Sequence, residues 1–298
     1  MERYRCGYCT ILKKNFIKYD MKILIIGGAG FIGSHLCESY ANDHIVTSLD
    51  NYISGKKDNH VHNVKYLDMD AKNILSLKED YDLIFHLGEY SRVEKSLQKI
   101  DYVLKNNLRP ILDILQFAKK SKAKLIYAGS STKFADGGEN KFKSPYAFSK
   151  WQNSELVKFY CEANNIKYAI TYFYNVYGGR ENSSGEFATV VAKFLDRKKF
   201  NKKLKITRPG TQVRNFTHID DTIDALKLIA ANGVGDDYGI ANPKSYSINE
   251  VANFISADIE YVNENAANRL SSSIISEKTI NLGWTPKKEL EEYIKSKV

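Results

Sequence analysis

Residues 23–36 read ILIIGGAGFIGSHL, and this stretch decides the architecture. Four consecutive apolar side chains, three of them β-branched, make a strand with no polar face, as a strand buried on both sides of a parallel sheet requires. The run stops at glycines that read either as Gly28-x-Gly30-x-x-Gly33 or as Gly27-x-x-Gly30-x-x-Gly33, and helical apolar spacing resumes at Phe31. Glycine is needed there because a tight turn and the close approach of backbone to a pyrophosphate leave no room for a β-carbon. The helix N-terminus then offers oriented N–H groups and positive potential. Asp50 closes the next strand, 17 residues after Gly33. A carboxylate at that point accepts hydrogen bonds from an adenosine ribose and repels a 2′-phosphate, so the pattern predicts NAD rather than NADP.

Outward from this motif, short apolar runs alternate with amphipathic ones. Strands are expected at Lys22–Ile26, Ile45–Leu49, Val64–Leu67, Leu83–Leu87, Lys124–Ala128 and Tyr168–Phe173, and helices from near Phe31, Ser91 and Tyr146. Leu108, Ile111, Leu112 and Leu115 recur at helical spacing. The alternation predicts an α/β, doubly wound parallel sheet of Rossmann type. After Asn175 the elements become shorter and less regular, so residues 21–174 are expected to form the NAD-binding domain. Residues 175–298 then form mainly a smaller C-terminal α/β domain that binds substrate, with a return to the first domain near 215–240.

Composition excludes several other classes. The 298 residues, 43% hydrophobic and 27% charged, suffice for one large core or two modest ones. No run reaches the roughly 18 apolar residues of a membrane span, and the opening lacks the apolar core of a secretory signal, so a cytoplasmic location is expected. Net charge is +9, but the first twenty residues carry five basic and two acidic side chains. The remainder is thinly spread without a basic, aromatic-interleaved stripe, and no nucleic-acid partner is expected. Cys6 and Cys9 have C-x-x-C spacing, yet no second ligand pair follows. No metal site is expected, and residues 1–20 read as a disordered extension.

Two further stretches carry chemistry. In SPYAFSKWQ, residues 144–152, Tyr146 and Lys150 stand four apart and so share a helix face, with Pro145 near the helix start. A tyrosine is a poor base at its reference pKa of about 10, but a nearby ammonium and a positive nicotinamide ring both stabilise its phenolate. In GSSTKFADGG, residues 129–138, three hydroxyl residues follow a strand. Ser130 is placed to hydrogen-bond a substrate hydroxyl and align it for proton transfer.

These residues, together with SLDNYISGKKDN (48–59), IFHLGEYSRVEKS (84–96), YFYNVYGGRE (172–181), GTQVRNFTHIDDTIDA (210–225) and LGWTPKKELEEYI (282–294), resemble the extended short-chain dehydrogenase/reductase family. The similarity is to its NAD-dependent nucleotide-sugar epimerase/dehydratase branch, as in UDP-glucose 4-epimerases, and runs from about Met21 to the end. The resemblance implies catalytic roles for Tyr146, Lys150 and Ser130. It implies that Gly27, Gly30, Phe31, Ile32 and Gly33 cradle the NAD pyrophosphate and that Asp50 and Asn51 hold the ribose. It places Asp68 and Met69 beside adenine, and Leu87, Gly88, Asn107 and Lys150 along the cofactor. Ser130, Ser131, Tyr146, Asn175 and Arg214 would contact a nucleoside-diphosphate sugar, with Arg214 on a phosphate. It also implies a homodimer built from the helices after Ser91 and Tyr146.

Departures from the family pattern bear on the reaction. Dehydratases of the family carry an acid where this chain has Thr132, and Glu89, the nearest other carboxylate, falls one place before their glutamate. GEYSRVEKS does not resemble the proline-containing stretch of the decarboxylases. Lys133 and Phe134 replace the usual Val-Tyr, which bears on the sugar pocket, and NAANR (265–269) replaces an expected Arg-Pro-Gly-Asp. The expected activity is epimerisation of a nucleoside-diphosphate hexose through a 4-keto sugar. The alternatives are a 4,6-dehydratase, a 4-keto-sugar reductase, or a dinucleotide sensor without turnover.

Overall fold

A computed structural model describes residues 20–263 and 274–298. The expectations for the N-terminal extension with Cys6 and Cys9, and for residues 265–269, lie outside the described residues.

Strands β1 (Lys22–Ile26), β2 (Ile45–Asp50), β3 (Val64–Asp68), β4 (Leu83–His86), β5 (Lys124–Ser130) and β6 (Tyr168–Phe173) take the positions their apolar runs predict. Helices α1 (Phe31–Tyr40), α2 (Val93–Ser96), α3 (Ile100–Leu108), α4 (Ile111–Ser121) and α5 (Pro145–Ala163) lie between them. The chain then runs through β7 (Val176–Tyr177), α6 (Val190–Lys199), β8 (Leu204–Thr207), β9 (Val213–Asn215) and β10 (Thr217–His218). It continues as α7 (Ile219–Asn232), β11 (Gly235–Ile240), β12 (Ser245–Ser247), α8 (Ile248–Ile255), β13 (Ile259–Val262), α9 (Glu277–Asn281) and α10 (Leu290–Lys295).

Seven strands form one parallel sheet in the order β11-β6-β5-β4-β1-β2-β3, the Rossmann-type arrangement. Alternate side chains of each strand serve opposite faces. Leu24, Ile84, Leu125 and Ile170 pack with Ile114 and Leu115 of α4 and Val157 of α5. Ile23, Phe85, Ile126 and Ala169 pack with Leu36 of α1 and Leu226 of α7. Both faces are therefore covered, which is why the strands read as unbroken apolar runs.

A separate core of Tyr177, Phe194, Leu204, Ile206, Phe216, Val251 and Ile294 builds the C-terminal lobe. Its helix α8 opens on a capping box between Ser247 and Glu250. The last stretch is pinned to α7: Trp284 Nε1 donates to the Asp221 carbonyl at 2.8 Å, and the Lys287 and Lys288 amides donate to the Asp221 carboxylate at 3.0 Å each. β11 pairs with β6, so the chain beyond residue 175 contributes to the main sheet as well as to the lobe.

One helix expected from near Ser91 is instead three. The four-residue α2 is followed by α3, and Pro110, which has no N–H to continue a helix, separates α3 from α4. Of the apolar series, Ile111 and Leu115 are buried and Leu112 is 47% exposed.

Candidate active site

The carboxyl ends of β1, β4, β5 and β6 open on a cleft of about 610 Å³. It lies where the strand order reverses between β1 and β4, the position at which open α/β sheets bind ligands. Gly27, Gly30, Phe31, Ile32, Gly33, Asp50, Asn51, Leu87 and Gly88 line one end, and Ser130, Ser131, Tyr146, Lys150, Asn175 and Arg214 the other.

The first end fits a dinucleotide. Gly27 has φ +88°, and a β-carbon there would stand 2.8 Å from the Gly88 backbone. A β-carbon on Gly33 would lie 2.1 Å from the Gly27 carbonyl oxygen, so the first turn of α1 can sit against the glycine turn only without one. The orphan amides of that turn face the cleft at Phe31 and Ile32. Asp50 accepts from the Ala29 amide at 2.9 Å and the Tyr52 amide at 2.8 Å. Burial pushes its carboxyl up, while those two amides stabilise its charge. Each oxygen keeps a lone pair for a ribose hydroxyl.

Asp68, Met69 and Asn107, expected along the cofactor, are not among the residues lining the cleft, although Asp68 pairs with Asp50, which is one of them. Asp68 ends β3, and Asp70 and Ala71 line the cleft just beyond it. Asn107 is fully buried behind the loop after β4. Its Oδ1 accepts from the Tyr90 amide at 2.8 Å and its Nδ2 donates to Ser149 Oγ at 2.9 Å, so it braces that loop against α5.

At the second end, Ser130 ends β5 and Tyr146 stands in the first turn of α5. Ser144 caps α5 by accepting from the Ala147 amide at 3.1 Å, with Pro145 in the first turn. Tyr146 Oη donates to Ser130 Oγ at 3.1 Å, and Thr132 Oγ1 donates to the same oxygen at 2.9 Å. Lys150 lies one turn below. Its ammonium donates to the Ala128 carbonyl and, at 2.7 Å, to Glu89 Oε2, which leaves one of its three protons for a ligand.

Glu89 follows β4, and its side chain is 2% exposed. It accepts from Tyr127 Oη at 3.0 and 3.1 Å and from Asn153 Nδ2 at 2.9 Å. His86 Nε2 stands 3.1 Å from Oε1 but out of line for a hydrogen bond. Burial alone would raise the Glu89 carboxyl. The Lys150 ammonium, with the His86 ring, outweighs it and holds the group well below the usual carboxylate range. Glu89 is ionised and fully engaged, so it is not a free acid at the cleft.

Lys133 points away from the pocket. Its ammonium donates to Asp236 Oδ2 at 2.8 Å and Tyr172 Oη at 3.0 Å, and Phe134 meets the Tyr172 ring edge-on at 4.8 Å. Neither residue lines the cleft, so their departure from the family pattern bears on how the rim is anchored rather than on sugar contact. The cleft is also lined by residues that the sequence motifs do not single out. Arg92 lines it, with Nη1 and Nη2 donating to the Ser91 and Phe187 carbonyls and no partner for its buried Nε. Glu181 accepts from the Gly178 amide at 2.8 Å and from Thr189 Oγ1, and burial pushes its carboxyl up to about 7. Both sit inside stretches already quoted for the resemblance, but no spacing rule marks either as a wall residue.

Residues 23–241 match the NAD dependent epimerase/dehydratase family, and the chain belongs to it. It is similar to a putative UDP-glucose 4-epimerase of Methanocaldococcus jannaschii, at 30% identity over 295 residues covering 92% of this chain and 96% of that one. It is also similar to a UDP-N-acetyl-alpha-D-glucosaminuronate decarboxylase of Bacillus cytotoxicus, at 29% identity with 78% of each chain covered. Its structure resembles that of UDP-glucose 4-epimerase with UDP-glucose from Thermotoga maritima, with a TM-score of 0.85 and 27% identity over 93% of this chain and 97% of that one. The protein is thus an enzyme of the nucleotide-sugar epimerase/dehydratase family that uses NAD. No helix among the described residues is long and apolar enough to cross a membrane.

Proposed function

We propose that the enzyme epimerises a nucleoside-diphosphate hexose at C4, in the cytoplasm and as a homodimer. The observation that carries this reading is the contact of Tyr146 with Ser130 above an engaged Lys150, with Thr132 rather than an acid completing the hydroxyl cluster. Dehydration needs a second proton donor near the departing oxygen. Glu89, the carboxylate nearest in sequence to that role, is consumed by Lys150, Tyr127 and Asn153.

In this reading Ser130 orients the sugar 4-hydroxyl and Tyr146 takes its proton at Oη. NAD, when bound, takes up and returns the hydride of C4. Tyr146 gives the proton back after the 4-keto sugar has turned over in the pocket, and Lys150 stabilises the phenolate throughout. Asn175 and Arg214 hold the diphosphate end, Arg214 through its guanidinium fork. Arg92, in the cleft lining, faces the sugar. Asp50 favours a cofactor without a 2′-phosphate, which speaks against a reductase that consumes NADPH.

The test is incubation of purified protein with UDP-, GDP- and dTDP-hexoses without added cofactor, followed by chromatography and mass spectrometry. An isobaric product of different retention is expected. Loss of water would replace epimerisation with dehydration, and loss of carbon dioxide from a nucleotide hexuronic acid added to the panel would replace it with decarboxylation.

A further inference from the structure

Glu89 and Lys150 are 61 residues apart, and the packing of α5 over β5, the strand beside β4, brings them together. The carboxylate is held from three sides. Tyr127 is on the strand that ends in Ser130, Asn153 is on the helix that carries Tyr146, and His86 ends β4. Asn153 is itself fixed, with its Nδ2 donating to the Asn107 carbonyl at 2.9 Å. A buried anion is costly unless a cation and hydrogen bonds offset it, and Tyr127 and Asn153 both donate to hold this one next to the lysine.

We propose that Glu89 is a positioning residue and fixed counter-ion of Lys150, presetting the ammonium in the cleft and setting the pH range over which Tyr146 works as a base. The proposal rests on the reading of Tyr146 as proton acceptor. An isolated ammonium would favour the phenolate strongly. A neutralised pair favours it less, which shifts base action to higher pH. Other charged or titratable groups also line the cleft: Tyr90 and Arg92 in the loop after β4, Glu94 and Lys95 on α2, Tyr102 on α3, Glu181 and Glu186 after β7, Lys193 on α6 and Arg214 on β9. All of these remain when Glu89 alone is changed, so the difference isolates its charge.

The experiment compares kcat and kcat/KM against pH for the NAD-loaded full chain and its Glu89→Gln and Glu89→Ala variants. Gln keeps an acceptor for Lys150 and removes the charge. Its acid limb should move down by about one pH unit, with kcat at the optimum within about tenfold of the parent. Ala also frees the ammonium, and kcat should fall by about tenfold or more with KM for the sugar within about twofold. A Gln profile that superimposes on the parent overturns the charge role, and an unchanged kcat in Ala overturns the positioning role. Asn153→Ala, which loosens the carboxylate but keeps both charges, should lower kcat without moving the limb; a moved limb counts against the proposal.

Nitrogen-15 lysine spectra give a readout that needs no turnover. A solvent-protected ammonium signal, assigned by its loss in Lys150→Met, should be present in the parent and lost in Glu89→Ala. Its absence from the parent overturns the pairing. A protected signal without turnover of any nucleotide hexose would sink the epimerase reading and leave the pairing standing. Turnover with an unshifted Gln profile does the reverse.

Discussion

Tyr146 Oη and Ser130 Oγ meet at 3.1 Å, although one stands in the first turn of a helix, the other ends a strand, and they are 16 positions apart in the chain. A shared proton path through that contact makes the phenol irreplaceable. Tyr146→Phe should lower turnover by about a thousandfold or more, and Ser130→Ala by about a hundredfold. Both should retain NAD, read from the cofactor released on denaturation. Normal turnover in Tyr146→Phe would dispose of the assignment.

Arg92 brings a guanidinium to the wall with a buried Nε that no protein group satisfies. A ligand oxygen that meets this guanidinium from the cleft gains a charge-assisted hydrogen bond of about 1.5–3 kcal/mol. Arg92→Met should therefore raise KM for the nucleotide sugar by about tenfold or more while bound NAD stays constant. An unchanged KM would place the guanidinium outside the sugar site.

The glycine turn tolerates no β-carbon at Gly27, where φ is +88° and Gly88 lies against it. Gly27→Ala should cost about 1–3 kcal/mol of stability and strip the cofactor. Full NAD content with an unshifted melting temperature would show that the turn relaxes.

For Glu181, burial raises the carboxyl from 4.5 to about 7. Between those values the folded protein holds a proton that the unfolded chain has released, so stability falls as pH rises through that window. Glu181→Gln removes this loss. The variant should match the parent near pH 4.5 and exceed it above pH 7 by on the order of 2 kcal/mol. Denaturant melts at the two pH values decide the matter, and a variant weaker than the parent at high pH would contradict the account.

Apolar side chains stand exposed on the helices assigned to the dimer, with Phe159 of α5 at 71% and Ile100 of α3 at 52%. Sedimentation at micromolar protein should give twice the 34.0 kDa chain mass, and Phe159→Glu should shift it toward the monomer. A monomer mass for the parent would end the proposal.

The sequence made legible what is local. Strands buried on both faces announce themselves as apolar runs, and only their ends differ, short at Asp50, Asp68 and Ser130 and one residue long at Leu87. Tyr146 and Lys150 were readable because a helix puts positions four apart on one face. Contacts that depend on how distant elements pack were not readable. Glu89 stood out as a stray carboxylate and proved to be the partner of Lys150. Lys133 read as a change in the sugar pocket and proved to be bonded to a distant strand. Asn107, expected along the cofactor, also braces the loop after β4, a contact that no spacing in the sequence announces.

That bond of Lys133 reaches Asp236, 103 residues downstream on β11, with Tyr172 Oη joining the same carboxylate at 2.7 Å. The hydroxyl-bearing rim is therefore not an interchangeable cassette. Moving residues 129–142 into a relative without an acid at the end strand would take the ammonium from its 2.8 Å ion pair, and exchanging the strand alone would leave it the longer contact with Glu155 of α5 at 3.5 Å. Specificity engineered at this rim has to move both pieces together.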